Sequence, residues 1–576
     1  MIKLLRYLKP YRLSVLSALG LVFLQVIAEL FLPTLMADIV DIGVVTGNTS
    51  YIFKVGAIMM IIALVGTLCA VYASYLSSKT AMAFGRDLRS QMFERAEDFS
   101  LNEFNKIGTS SLITRTTNDI TQMQQVVMMS LGMMARAPMM GIGGIIMAVS
   151  KNATLSLIIV FVVPVITLGI VVVAKKVTPL FKLMQTKLDN LNQVLRETLT
   201  GVRVIRAFNR VEHEKDRFKE ANHDLTSTSI KVTKIMAVMM PAMSLIFNFT
   251  TIAVIWFGAT RIDNGTMQVG DLMAFIQYVM QIMFALIMLS MMFVMFPRAS
   301  ASAVRINEVF DTIPEIKDPL KSRATHTRDG LIEFKHVTFS YPGAEHPVLK
   351  DISFTARPNK ITAIIGGTGS GKSTLVNLIP RFYDIDSGHI LVNGMDIREM
   401  TQKSLRGKIG FVPQRAVLFT GTIADNIKYG KENATMEEIQ YASEIAQATD
   451  FISNMKDGFD SVIAQGGTNL SGGQKQRLSI ARALVRRPEI YLFDDSFSAL
   501  DFKTDSKLRG ALKNETKNAT QIIVAQRVTT IIDADQIIVL DKGQIAGIGT
   551  HKELLKTCDV YREIVSSQLS EEEMAQ

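Results

Sequence analysis

Long apolar runs dominate the first half of the chain, and short β-branched runs alternating with helical stretches make up the second. Six of the apolar runs reach or approach the roughly 20 residues needed to cross a bilayer. They lie near 14–37, 53–75, 126–149, 154–174, 235–260 and 271–296. The connections near 41–52, 150–153 and 261–268 are short and poor in Lys and Arg, whereas those near 79–115 and 175–234 are long and basic, with Arg86, Arg89, Arg95, Lys175, Lys176, Arg203, Arg206 and Arg210. Because basic connections stay on the cytoplasmic side, the pattern predicts a multi-pass membrane protein with both termini in the cytoplasm. The long connections hold few turn signals and read as helices continuing out of the bilayer, where about 30 residues project roughly 45 Å. Two breaks, "LNEFNKIG" (101–108) and "FNRVEHEKDRF" (208–218), read either as short transverse helices at hairpin tips or as solvated turns.

The pattern changes after Phe296. Residues 311–330 are polar with two prolines and read as a linker. Beyond them "LIEFKHVTFS", "KITAIIG", "KIGFVP", "EIYLFD", "QIIVAQ" and "QIIVLD" alternate with helical stretches, which predicts an α/β domain. The expected division is a membrane domain over 1–310, a linker over 311–329 and an α/β domain over 330–576.

Composition agrees with this layout. A mean hydropathy of +0.24 over 576 residues is too high for an ordinary soluble chain of that length. The net charge of +9 resides almost wholly in the first 320 residues, with roughly 30 Lys+Arg against 22 Asp+Glu, as expected for the flanks of membrane spans. No nucleic-acid partner is implied. Two cysteines, Cys69 and Cys558, form no disulfide framework, and no cleavable signal peptide is apparent.

Three stretches carry chemistry. "GGTGSGKS", Gly366 to Ser373, fits G-x-x-x-x-G-K-[ST] between a strand and a helix. The loop N–H groups of Gly366, Gly367, Thr368, Gly369, Ser370 and Gly371 can cradle phosphates, with Lys372 reaching the terminal ones, Ser373 on magnesium and Thr374 following in the helix. Asp494 ends the strand in "YLFDDSFSAL" and is placed to hold that magnesium. "LSGGQKQRLSIARAL" (470–484) supplies a second anion-binding helix start, with Ser471 as cap and Gly472 and Gly473 permitting close backbone approach. Nothing in the same chain calls for it, which points to a phosphate on another subunit.

These motifs, in this order, resemble those of ATP-binding-cassette (ABC) exporters: six membrane helices fused to an α/β P-loop ABC nucleotide-binding domain. The resemblance covers nearly the whole chain. It implies two such domains closing head to tail on two ATP molecules with magnesium, each ATP lying between one chain's P-loop and the other's Ser471–Gln474 equivalent. It further implies that Tyr341 stacks on adenine, that Gln414 meets magnesium and the membrane domain, that Asp501 in "SALD" crosses the dimer interface, and that the breaks near 101–108 and 208–218 are coupling helices.

Three positions depart from the family pattern. Its catalytic glutamate is here Asp495, its switch histidine is Gln526, and the glutamate usual upstream of LSGGQ is Gln465. Losing one methylene withdraws the carboxylate by roughly 1.5 Å, and a 1 Å misplacement can cost about 100-fold. Gln526 can hydrogen-bond a phosphate but carries no charge and relays no proton. An impaired acid and switch beside an intact LSGGQ resembles the degenerate-site half of bacterial heterodimeric multidrug exporters, whose partner half-transporter carries the consensus Glu and His. The expected substrates are hydrophobic or amphipathic, because all but about five of the 32 methionines precede residue 300 and Met makes an adaptable apolar wall. Lipid or peptide export, and an ATP-gated channel or regulator, are the alternative readings. Glu29 and Arg136 within spans, and Asp38 and Asp41 near the external end of the first, are candidates for binding, gating or structural pairing. The expected location is the bacterial cytoplasmic membrane.

Overall fold

The computed structural model describes residues 2–319 and 330–568; residues 320–329 of the expected linker lie outside them. The chain divides into two compact units, Met1–Glu97 with Gly108–Thr312, and Asp98–Ile107 with Ile313–Gln576.

The first unit is helical. In chain order the helices are α1 (Lys3–Val44), α2 (Thr49–Glu97), α3 (Leu101–Ile107), α4 (Thr109–Lys151), α5 (Leu157–Thr200), α6 (Val202–Ala207), α7 (Val211–Asp263) and α8 (Val269–Asp311). All but α3 and α6 are long and apolar enough to span a membrane, and α3 belongs to the second unit. Five of the six expected apolar runs fall inside these helices and the fourth begins three residues before α5, at 154; several of the helices extend well beyond bilayer thickness. The break at 101–108 is helical, as α3. The other opens with the turn alternative, and its short helix, α6, lies upstream of 208–218. Phe208–Arg210 form the turn, with Asn209 at φ +49°. Glu212 and Glu214 already sit in the first turn of α7, where carboxylates favour the positive end of the helix dipole.

Membrane helices gain little hydrophobic drive from packing on each other, so small residues and polar pairs decide their contacts. A Cβ on Gly144 of α4 would lie 2.9 Å from the Ile282 side chain of α8, so a side chain there would require Ile282 to shift. Glu29 of α1 accepts from Arg136 of α4 at 2.6 Å and from Gln25 at 2.9 Å. Tyr278 of α8 donates to the Leu30 carbonyl at 3.0 Å. Asp41 accepts the Gly270 N–H at 2.6 Å, one turn beyond Asp38, and Lys151 pairs with Asp271 at 2.9 Å. Farther along α4, buried Asp119 takes Ser302 and both ends of the Arg305 guanidinium fork. Between α7 and α8 lies a cavity of about 200 Å³ walled by Met240, Met243, Met280, Met283, Phe247 and Phe284, with Ser244 as its polar side chain.

The second unit is α/β. Its strands are β1 (Ile332–Phe339), β2 (Leu349–Ala356), β3 (Ile361–Gly366), β4 (Ser387–Val392), β5 (Met395–Asp396), β6 (Ile409–Val412), β7 (Gly421–Thr422), β8 (Val462–Ile463), β9 (Ile490–Asp494), β10 (Thr520–Val524), β11 (Gln536–Asp541) and β12 (Gln544–Gly549). An antiparallel sheet has the order β2-β1-β4-β5, and a six-stranded sheet the order β12-β11-β3-β10-β9-β6, parallel except for β12. Alternate residues of β9 serve opposite layers: Ile490 and Leu492 pack toward the antiparallel sheet, Tyr491 and Phe493 toward the helical layer. Burial on both faces is why such strands read as continuous apolar runs. Each fully buried side chain of this size contributes roughly 1.5–3 kcal/mol.

The C-terminal helices α12 (His551–Thr557) and α13 (Asp559–Ser566) close the helical layer, with Tyr561 and Val565 completely buried. His551 Nδ1 lies 2.8 Å from the Tyr561 hydroxyl. Burial holds the His551 imidazole below its ordinary 6.5 and pushes the Tyr561 phenol up to about 12, so the two share this hydrogen bond as neutral groups. As pH falls through the unfolded histidine value, the unfolded chain takes up a proton that folded His551 resists, and stability declines with it. Between about pH 7.5 and 5.5 the melting temperature of this unit should therefore fall less in His551→Asn than in the wild type. Equal slopes in a thermal-shift titration would contradict this.

Candidate functional site

The loop between β3 and the helix α9 (Lys372–Leu378) is shaped by what its glycines leave out. A side chain on Gly366 would strike the Leu540 carbonyl of β11, and Gly369 and Gly371 take φ +80° and +98°, which L side chains rarely adopt. On the open side, a Cβ on Gly367 or Gly369 would meet nothing, so the loop forms a cradle with Thr368 exposed at its rim. Lys372 Nζ donates to the Gly366 and Gly367 carbonyls, both at 2.8 Å. Burial lowers its pKa, with Asp495 and Asp494 opposing. Ser370 Oγ is buried beneath the loop, beside Gly366, without a hydrogen-bond partner.

Parallel pairing brings the acids to this cradle. Asp494 is in register with Val524 of β10, and Val524 with Ile364 of β3. Ser373 Oγ donates to Asp494 Oδ1 at 2.9 Å. Burial pushes the Asp494 carboxyl upward, Ser373 offsets this and Asp495 adds to it. A divalent cation would relieve that cost, and the all-oxygen pair suits magnesium, which takes one or two protein ligands and completes its shell with phosphate and water. Among the described residues no cluster of three or more His, Cys, Asp or Glu could hold a metal by itself.

Asp495 continues the ladder through its N–H to the Val524 carbonyl (3.1 Å) and takes φ +47°, a left-handed conformation that Asp tolerates better than most residues. Its Oδ2 accepts from Gln526 Nε2 at 2.7 Å and from Gln414 Nε2 at 3.1 Å. The two departures from the family pattern thus bond each other, and Gln414, expected beside magnesium, joins them. Burial raises the Asp495 pKa, and the Gln414 hydrogen bond opposes it.

The remaining candidates lie around this centre. The Tyr341 hydroxyl is 3.0 Å from Thr374 Oγ1, and its ring meets Tyr383 edge-on at 5.4 Å. Tyr383, which carries no motif, also hydrogen-bonds Asn105 of α3, and Glu103 of α3 accepts the Glu315 N–H. Ser471 caps the helix α10 (Gly472–Leu484) in a capping box with Gln474. Gly472 faces open space, while a Cβ on Gly473 would press on the Ala499 carbonyl at 3.2 Å. Asp501 caps the helix α11 (Phe502–Glu515) by accepting the Thr504 N–H at 2.9 Å. Gln465 is exposed in a short turn.

Comparison with known proteins bears on the whole chain. Residues 15–287 match the family described as ABC transporter transmembrane region, and residues 349–498 that described as ABC transporter. An uncharacterized ABC transporter ATP-binding protein of Mycobacterium tuberculosis is 45% identical over 567 residues, covering 98% of this chain and 97% of that protein. An ATP-dependent lipid A-core flippase of Desulfotalea psychrophila is 34% identical over 512 residues, 88% of this chain and 89% of its own. Among solved structures, a bacterial Atm1-family ABC exporter with ATP bound has a TM-score of 0.81, with 26% sequence identity, over 97% of this chain and 100% of that one.

Because Asp495 and Gln526 share one hydrogen bond, their removal should not add. In a double-mutant cycle on magnesium-ATP affinity, Asp495→Ala and Gln526→Ala should couple by roughly 1 kcal/mol. Additivity within about 0.5 kcal/mol would mean that the contact does not bear on nucleotide binding.

Proposed function

Since the chain belongs to the ABC transporter family, as an exporter half that fuses six membrane helices to one ATP-binding domain, we propose that it works as the degenerate-site half of a heterodimer. On this reading it exports hydrophobic or amphipathic compounds across the bacterial cytoplasmic membrane, with both termini in the cytoplasm. The observation that carries the reading is the Asp495–Gln526 hydrogen bond at 2.7 Å. A water-activating base needs a free carboxylate oxygen aimed at the attacking water; here one oxygen of an already short side chain is taken by two amides.

The P-loop amides, Lys372 and Tyr341 bind and orient ATP, and Ser373 and Asp494 hold magnesium, which neutralises phosphate charge when bound. Gln526 reaches a terminal phosphate as a neutral donor and moves no proton. Asp495 is held back from the water, so nucleotide stays and is cleaved slowly. Ser471, Gly472, Gly473 and Gln474 complete the partner's site, where the consensus Glu and His act, and Asp501 lies at the interface between them. The capping box supports this, because it leaves the first N–H groups of α10 aimed outward. Contact of Asn105 and Glu103 with the ATP-binding unit supports α3 as the coupling element.

The cavity of methionines and phenylalanines supports adaptable apolar substrates, since thioethers repack around different shapes. Similarity to a lipid A-core flippase favours a second reading, in which a lipid is the cargo.

Affinity purification of this chain from its own membrane should recover a second ABC half-transporter in equal amount. Inside-out vesicles holding the pair should accumulate a lipophilic fluorescent compound when given ATP. A fully active homodimer would contradict the pairing, and uptake only of labelled lipid would favour the second reading.

A further inference from the structure

The loop that carries Gln526 is held from an unexpected place. β10 ends at Val524, Gln526 follows two residues later, and a short turn begins at Val528. One carboxamide bridges this loop: Gln568 Nε2 donates to the Gln526 carbonyl at 2.8 Å, and Gln568 Oε1 accepts the Val528 N–H at 2.8 Å. A primary amide used in this way copies the paired bonds of a neighbouring strand and fixes the backbone on both sides of Arg527. Gln568 is itself anchored, because its N–H reaches the Val565 carbonyl at 3.0 Å and α13 is fastened by buried Tyr561 and Val565.

Gln526 has several rotatable bonds, and its Nε2 meets Asp495 only if the loop backbone stays in place. We propose that Gln568 is a positioning residue of the nucleotide site: by clamping the Gln526 carbonyl and the Val528 N–H it keeps the Gln526 carboxamide on Asp495 and toward the terminal phosphate. The C-terminal helix thereby sets how long ATP remains. This rests on Gln526 facing the phosphate, as proposed above. Gln568 is itself exposed and makes these bonds at the domain surface, so its loss should loosen the loop and leave the core intact.

The test is release of trinitrophenyl-ATP with magnesium from the full-length purified transporter, followed by stopped-flow fluorescence beside its melting temperature. Gln568→Ala removes both bonds, and Gln568→Glu keeps the acceptor for Val528 while losing the donor to Gln526. Gln568→Ala should speed release about 3- to 10-fold, the worth of one or two hydrogen bonds, with Gln568→Glu intermediate and the melting temperature unchanged. In a Gln526→Ala background the same change should add nothing. If Gln526→Ala speeds release and Gln568→Ala does not, the clamp has no role and the inference fails while the site reading stands. If Gln568→Ala acts equally with or without Gln526, or lowers the melting temperature in proportion, its role is structural and the inference fails. Should Gln526→Ala leave release unchanged, the reading of Gln526 fails and the inference with it.

Discussion

The site depends on the in-register pairing of three parallel strands. β3 delivers the phosphate loop, β9 the two aspartates and β10 the loop of Gln526, and the ladder sets all three ends level. From that alignment the Ser373–Asp494 and Asp495–Gln526 hydrogen bonds follow directly. The strands can be so aligned because both faces of the sheet are covered, one by the antiparallel sheet and α9, the other by the helical layer. A slip of one residue would turn Ile490 and Leu492 into the wrong layer and move both carboxylates off the cradle.

Much of this was legible in the chain. The six spans follow from run length, and the α/β unit from β-branched runs, because strands buried on both faces must be apolar throughout. The P-loop and the capped helix at Ser471 were legible because backbone geometry there demands glycine and a capping hydroxyl. The short helix α6 lies upstream of 208–218, set off from α5 by Gly201, a signal that the expected placement passes over, and its downstream turn is made by Asn209 in a left-handed conformation. Other features left no local trace. The Gln414–Asp495–Gln526 cluster unites three segments far apart in sequence, and neither Tyr383 nor Gln568 belongs to any pattern that spacing could disclose.

On the proposed reading, the two departures from the family pattern form one adaptation. Asp is short, and Gln is a neutral donor that does not titrate as a histidine switch would, so the hydrogen bond between them does not depend on protonation of the switch residue. The cluster then retains nucleotide, while the intact Ser471 cap serves a phosphate on the partner. In the membrane unit, Glu29 with Arg136 and Lys151 with Asp271 pair opposite charges across helices. For Glu29 and Arg136, which lie within spans, such pairing is the usual means of tolerating charge; Lys151 and Asp271 sit at helix ends.

The most direct test compares damage to the two halves of this chain's ATP machinery, measured as steady-state hydrolysis by the purified transporter, together with whatever half-transporter copurifies, at saturating ATP. Asp495→Asn leaves a side chain of the same size without its charge, and Gly473→Arg obstructs the amides of α10 without touching the chain's own cradle. If the division of labour holds, Asp495→Asn lowers turnover only about two- to three-fold, while Gly473→Arg lowers it about 100-fold or more, the scale on which loss of an oriented donor acts on developing charge. Turnover abolished by Asp495→Asn would show that this site is itself hydrolytic, and the account would be wrong.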